Sequence, residues 1–259
     1  MNNVWALATV VIKELYRRKD FYVLFVLSAL ITIAAGSVNF FNDSNIVRYL
    51  KDICLLLIWL STLIIAVVTT ARQIPAEREN RTIFPLLAKP VSRGQLVAGK
   101  FLGCWLASGM ALIVFYAFFV VVTGVREPQW HLAAYLKAMS LQWMMLGIVV
   151  ALTLLGSVVF SAVSSNATIC LIAVIGILFL GEHLGKIALR QSEPVSTILY
   201  TAYFCIPHLE LFDVRQQVVN NQSMPGLVDC GLAALYAAAY TSAILMVAWL
   251  SFRRKSLST

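Results

Sequence analysis

The chain has 259 residues, 60% apolar and only 12% charged, with a mean hydropathy of +0.83 and a formal net charge of +8. Soluble domains carry about 25% charged residues, so a chain at half that level cannot cover a water-facing surface and takes lipid as its main solvent. The bases gather near the ends of apolar runs, which is a pattern of membrane topology and not of a phosphate footprint, so nucleic acid is excluded as a partner.

Residues 1–20 come first and are amphipathic. Asn2, Thr9, Lys13 and Arg17 recur on one face, and Val4, Leu7, Val11 and Leu15 fall on the other. This predicts an N-terminal amphipathic helix lying in the membrane interface, its apolar face in lipid and its basic face toward headgroups. The alternative is that these are simply the first turns before a span, with Arg17, Arg18, Lys19 and Asp20 marking the boundary. No apolar h-region or small-residue cleavage site of a signal peptide is seen there.

A spanning helix needs about 20 mainly apolar residues, because backbone polar groups have no water to bond in hydrocarbon. Six stretches meet or approach this: 21–41, 53–71, 101–123, 139–163, 167–180 and 231–252. The fifth is short, and 182–189 offers its continuation as a bent or broken helix. With both termini inside, the cytoplasmic segments hold Lys13, Arg17, Arg18, Lys19, Arg72, Arg78, Arg81, Lys89, Arg93, Lys100, Arg253, Arg254 and Lys255, thirteen of the twenty bases. The positive-inside rule therefore expects both termini in the cytoplasm.

Between the second and third stretches lies ENRTIFPLLAKPVSRGQLVAGKFLG, Glu79 to Gly103. Gly94 to Lys100 has the G-x-x-x-x-G-K spacing of a phosphate loop. However, Phe101 stands where magnesium needs a hydroxyl, and no strand precedes the loop, so no nucleotide site is indicated. Ser92 and Gln95 instead form a capping-box pattern, with Pro90 ending whatever helix came before. Gly99 and Gly103 make a small-xxx-small pair that lets another helix approach closely, and Lys100 is placed to snorkel to headgroups. Thr82 to Ala88 is too short to span and too apolar to float in water. Flanked by Glu77, Arg78, Glu79, Arg81 and Lys89, it is expected to lie across the membrane face and present a surface to a partner.

The segment 182–229 combines Tyr200, Tyr203, Phe204 and Phe212 with Pro194, Pro207 and Pro225. Long ordered loops are usually functional, and short helices that dip into the outer leaflet and cap the bundle are expected here. Cys54, Cys104, Cys170, Cys205 and Cys230 show no metal-ligand spacing and no disulfide framework, although pairing of Cys205 with Cys230 stays open. His131, His183 and His208 lack an HExxH context, and GSVVFSA at 156–162 has no base within helical reach. No catalytic, metal or cofactor site is therefore expected. The middles of the spans carry no Asp, Glu, Lys or Arg, which disfavours a proton-coupled carrier.

Glu79, Thr82, Leu86, Leu87, Ala88, Pro90, Val91, Ser92, Arg93, Gly99, Lys100 and Gly103 together resemble the signature of ABC-2 type export permeases, placed as in that family between spans two and three. Arg81 departs from it, standing where many members have glycine. Ile206 to Asp213 is also similar to outer segments of some members. The resemblance implies an all-α membrane protein, a single domain over 1–259 with six transmembrane helices. A cytoplasmic coupling helix would lie within 76–93 and capping outer helices between spans five and six. Glu77, Glu79, Arg81, Thr82, Phe84, Leu86, Leu87, Lys89 and Arg93 would then contact a separate cytoplasmic ABC ATPase, present in two copies. ATP and Mg would be bound by that partner and not by this chain, which is not itself an enzyme. A second permease subunit, identical or different, is implied, as is export; the uncharged spans suit an apolar or amphipathic substrate, or none at all, and a bacterial or archaeal plasma membrane is expected. The alternative is a non-transporting membrane scaffold, or an assembly or maturation factor, of the same fold.

Overall fold

A computed structural model describes residues 2–17, 19–37, 46–79, 92–126, 131–188, 193 and 195–254. The regular structure among them is helical throughout: α1 (Asn2–Arg17), α2 (Lys19–Ser37), α3 (Ile46–Ala71), α4 (Pro75–Glu79), α5 (Arg93–Arg126), α6 (Leu132–Val159), α7 (Val163–Ala188), α8 (Val195–Cys205), a 3-10 turn (Leu209–Phe212), α9 (Arg215–Val219) and α10 (Leu227–Arg254). Four helical stretches are long and apolar enough to cross a membrane: Val47–Glu79, Arg93–Gly124, Leu132–Val159 and Leu227–Arg254. α2 and α7 carry shorter apolar segments, Phe21–Ala34 and Val163–Phe179.

Two boundaries differ from the sequence expectation. The stretch 139–163 is interrupted: α6 closes with Phe160 N–H donating to Gly156 O at 2.8 Å, and α7 begins at Val163 after only three residues. Phe160, Ser161 and Ala162 are too apolar as a group for hydropathy to register the turn. α7 then continues unbroken through 182–188, so the polar residues there extend the helix and do not break it.

α3, α5 and α6 form the centre, and α6 is buried over most of its length. α10 lies at the periphery, with Leu232, Leu235, Met246 and Val247 exposed. Such exposure has no cost in a membrane, where lipid tails are as apolar as leucine. α5 and α6 are held by a reciprocal clasp. The Trp105 and Trp143 rings stack at 4.6 Å and 15°, and each indole N–H donates to the other's backbone carbonyl, at 3.0 and 3.2 Å. The residues one turn on are Gly109 and Gly147. Having no side chain, they leave each tryptophan carbonyl open to a second donor, and a Cβ at Gly109 would meet Trp143 Nε1 at 2.5 Å. A buried polar chain ties the same helices to α3: Tyr116 Oη donates to Gln142 Oε1 (3.2 Å), Gln142 Nε2 to Thr62 Oγ1 (2.9 Å), and Thr62 Oγ1 to Ile58 O (2.8 Å).

One end of the bundle, here the terminal end, carries α1, α4, the start of α5 and the finish of α10. At the far end, the 3-10 turn and α9 pack on α3, α6 and α7 through Leu209, Phe212, Val218 and Val219, all buried. Asp213 and Arg215 pair there in two hydrogen bonds of 2.8 and 2.7 Å, with the guanidinium 4.7 Å from the Trp59 ring. Lys51, at 1% exposure, donates to Asn221 Oδ1 at 3.2 Å, and Asn221 turns the chain with a φ of 51°. Cys230 is a free thiol, so the pairing left open with Cys205 is not made.

Candidate functional site

The site is built around the corner where α3 gives way to α4. α3 ends at Ala71, the chain turns with Gln73 N–H donating to Thr70 O at 3.1 Å, and Pro75 opens α4. Proline suits that first position because its φ is already helical and its missing N–H has no partner there anyway. On the other side of residues 80–91, α5 begins with a reciprocal cap. Gln95 N–H donates to Ser92 Oγ at 3.2 Å, and Ser92 N–H donates to Gln95 Oε1 at 3.0 Å.

Two turns into α5, Lys100 reaches back to this corner. Its ammonium pairs with Glu77 Oε1 at 2.5 Å and donates to Gln73 Oε1 at 3.0 Å. Gln73 Nε2 in turn donates to Thr69 O at 3.1 Å and to Glu14 Oε2, on α1, at 3.5 Å. Lys100 and Gln73 are 4% and 3% exposed. The lysine therefore does not snorkel to headgroups as expected, because two internal acceptors lie within its reach under the cover of α1.

That cover follows from Gly99 and Gly103. A Cβ at Gly99 would lie 2.8 Å from Leu7 Cβ, and one at Gly103 would lie 2.8 Å from Val11 Cβ and 3.0 Å from Ala8 Cα. Ala8, Val11 and Leu15 are buried, while Trp5 and Val10 are exposed. The apolar stripe of α1 is thus spent on α5 and not on lipid. The glycine strip lets two backbones approach closely enough for protein contacts to replace lipid contacts.

A third clamp comes from α7. Asn166, fully buried, donates from Nδ2 to Ala71 O, the last residue of α3, at 2.9 Å, and accepts from Cys170 Sγ at 3.2 Å. Sequence reading missed this residue. The available signal was a lone asparagine at the head of an apolar run, where an unpaired amide is costly. The corner is therefore held from α1, α5 and α7 at once.

Of the residues expected to meet a partner, Arg81, Thr82, Phe84, Leu86, Leu87 and Lys89 lie outside the described residues. Glu79 is exposed at the end of α4. Glu77 is turned inward to Lys100. Arg93 Nη1 donates to Phe252 O at 2.8 Å and to Arg253 O at 3.0 Å, and so closes the last turn of α10. Among the described residues, no group of three His, Cys, Asp or Glu could hold a metal ion.

The model of a family described as ABC-2 family transporter protein matches residues 6–257, from within α1 to past the end of α10. The chain belongs to the ABC-2 transporter family. No curated protein matches it. As an ABC-2 chain it is a membrane permease component of an ABC transporter, a complex whose ATPase is a partner of its membrane chains. The clamped corner and the capped start of α5 therefore flank residues 80–91 of an ABC-2 permease.

Proposed function

We propose that this chain is the permease subunit of an ATP-driven exporter, coupled through residues 76–93 to a separate cytoplasmic nucleotide-binding subunit. The observation that carries the coupling is the Glu14–Gln73–Lys100–Glu77 network. A push delivered to the segment between Glu79 and Arg93 meets a corner with buried, paired charges. It is passed to α3 and α5 as a rigid displacement and is not absorbed locally. ATP and Mg belong to the partner, in two copies, and a second permease subunit completes the path. Glu79 and Arg81 orient the contact electrostatically, and Leu86 and Leu87 supply buried area.

In this reading the chain crosses the membrane six times, with α2 and α7 as the two additional crossings. Their 19 and 26 residues reach about 28 and 39 Å at 1.5 Å per residue, against a hydrocarbon core of about 30 Å. An even number of crossings places both termini on one side, and the thirteen bases of that side make it the cytoplasm of a bacterial or archaeal plasma membrane. The terminal end is then the cytoplasmic end.

The test is a mild-detergent pull-down of the tagged chain from its native membranes, with ATPase activity assayed on the eluate. A nucleotide-binding subunit should co-purify with the wild type and be lost from a Glu79→Lys/Leu86→Asp variant. Retention by that variant would remove the coupling assignment. A folded wild type that brings down no ATPase would put a non-transporting scaffold in place of the permease.

A further inference from the structure

A lateral groove of about 390 Å³ lies between α10 and the α5–α6 pair. That volume is within the range of small-molecule sites. Phe101 and Trp105, stacked at 5.9 Å, form its α5 side, Gly147 its floor, and Ala234, Ala238 and Leu245 its α10 wall. The lining is mainly apolar, with Thr241 and Ser242 adding two hydroxyls on the α10 wall, and its small residues hold the wall open.

The two walls converge toward the terminal end. Gly94 sits two turns before Phe101 on the same face of α5, and Trp249 sits one turn after Leu245 on α10. A Cβ at Gly94 would meet Trp249 Nε1 at 3.3 Å. Just past this tryptophan, the Arg253 guanidinium lies 6.0 Å from its ring, and both Arg253 and Arg254 are exposed. Neither arginine forms an ion pair among the described residues. Arg253 follows Leu245 by eight residues, about 12 Å along the axis. The arrangement is therefore an apolar slot, then an indole, then the Arg253 cation along one side of α10, whereas Arg254, nine residues after Leu245, falls on the opposite side.

We infer that this groove binds an anionic phospholipid of the leaflet at the terminal end. One acyl chain lies against Trp105, Gly147 and Ala238. Trp249 stands at headgroup level, where amphipathic rings are favoured, and Arg253 takes the phosphate. Charge complementarity selects the occupant, because an exposed guanidinium at the end of an apolar slot matches an anionic lipid and not a second apolar helix. The inference requires the chain to be membrane-embedded but not to be coupled to an ATPase.

The experiment uses the full chain in phosphatidylcholine nanodiscs and follows tryptophan fluorescence as lipids brominated in the acyl chain are titrated in. Brominated phosphatidylglycerol should quench at a mole fraction roughly tenfold lower than brominated phosphatidylcholine. Arg253→Gln should bring the two midpoints together with an unchanged far-ultraviolet spectrum, since the side chain is exposed. Ala238→Leu, which fills the slot, should weaken quenching by the anionic lipid. Equal midpoints in the wild type, or a preference that survives either substitution, would overturn the site and leave the permease assignment untouched.

Discussion

Lys100 and Glu77 form an ion pair at 2.5 Å with side chains only 6% and 15% exposed, joining the start of α5 to α4 across the segment 80–91. The lysine that occupies the phosphate-loop spacing is therefore a structural cation already neutralised by the chain itself. Removing one member of such a pair strands the other, at a cost of about 3–5 kcal/mol, whereas replacing both with apolar groups is often neutral. Lys100→Met and Glu77→Leu should each lower the unfolding midpoint in detergent sharply, and the double variant should be milder than either single. Additive losses in the double variant would show that the pair is not coupled.

The glycines of the α1 contact differ in what they touch. Gly103 faces Ala8 Cα as well as Val11, so Gly103→Ala requires α1 to move as a body. The overpacking should cost about 1–3 kcal/mol, and Gly99→Ala should act in the same direction through Leu7. Gly231, in α10, has nothing within 4 Å of an added Cβ. Gly231→Ala should therefore be neutral or gain up to about 1 kcal/mol from helix propensity. Thermal unfolding of the three variants side by side checks the contrast.

Trp143→Phe retains a ring against Trp105 but loses the indole donor to Trp105 O. The expected loss is about 1 kcal/mol for the hydrogen bond, and Trp105→Phe should match it because the clasp is reciprocal. Gly109→Ala should do more, since the new Cβ displaces the Trp143 indole and opens both bonds and the stack. Near-ultraviolet circular dichroism, sensitive to stacked indoles, should change for all three and most for Gly109→Ala.

Asn166→Ala removes the donor to Ala71 O and the acceptor for Cys170. Leaving a buried carbonyl unpaired costs about 1–3 kcal/mol, and the loss should be local to the corner. Hydrogen exchange should accelerate at residues 70–75 and stay unchanged at the Trp105–Trp143 clasp. Uniform acceleration would mean that Asn166 supports the whole bundle and not the corner.

Much of this molecule is legible in the order of its amino acids. Composition alone demands lipid, because 12% charge cannot cover a surface in water. Apolar runs of helix length mark the helices, because a backbone in hydrocarbon must satisfy its own hydrogen bonds. The cap of α5 is local as well: Ser92 and Gln95 are three residues apart, and their geometry follows from spacing. What only the tertiary structure decided is where polar and apolar faces are spent. The α1 stripe was equally suited to lipid or to a helix, and Gly99 with Gly103 settled it by allowing the closer approach. Lys100 had a stem long enough for either headgroups or Glu77. Asn166 and Gln142 announced no partner, since Ala71 and Thr62 lie 95 and 80 residues away in the chain. Hydropathy sums each residue's own preference for lipid, but pairing depends on what another helix brings within about 3 Å, and a linear sequence does not contain that distance.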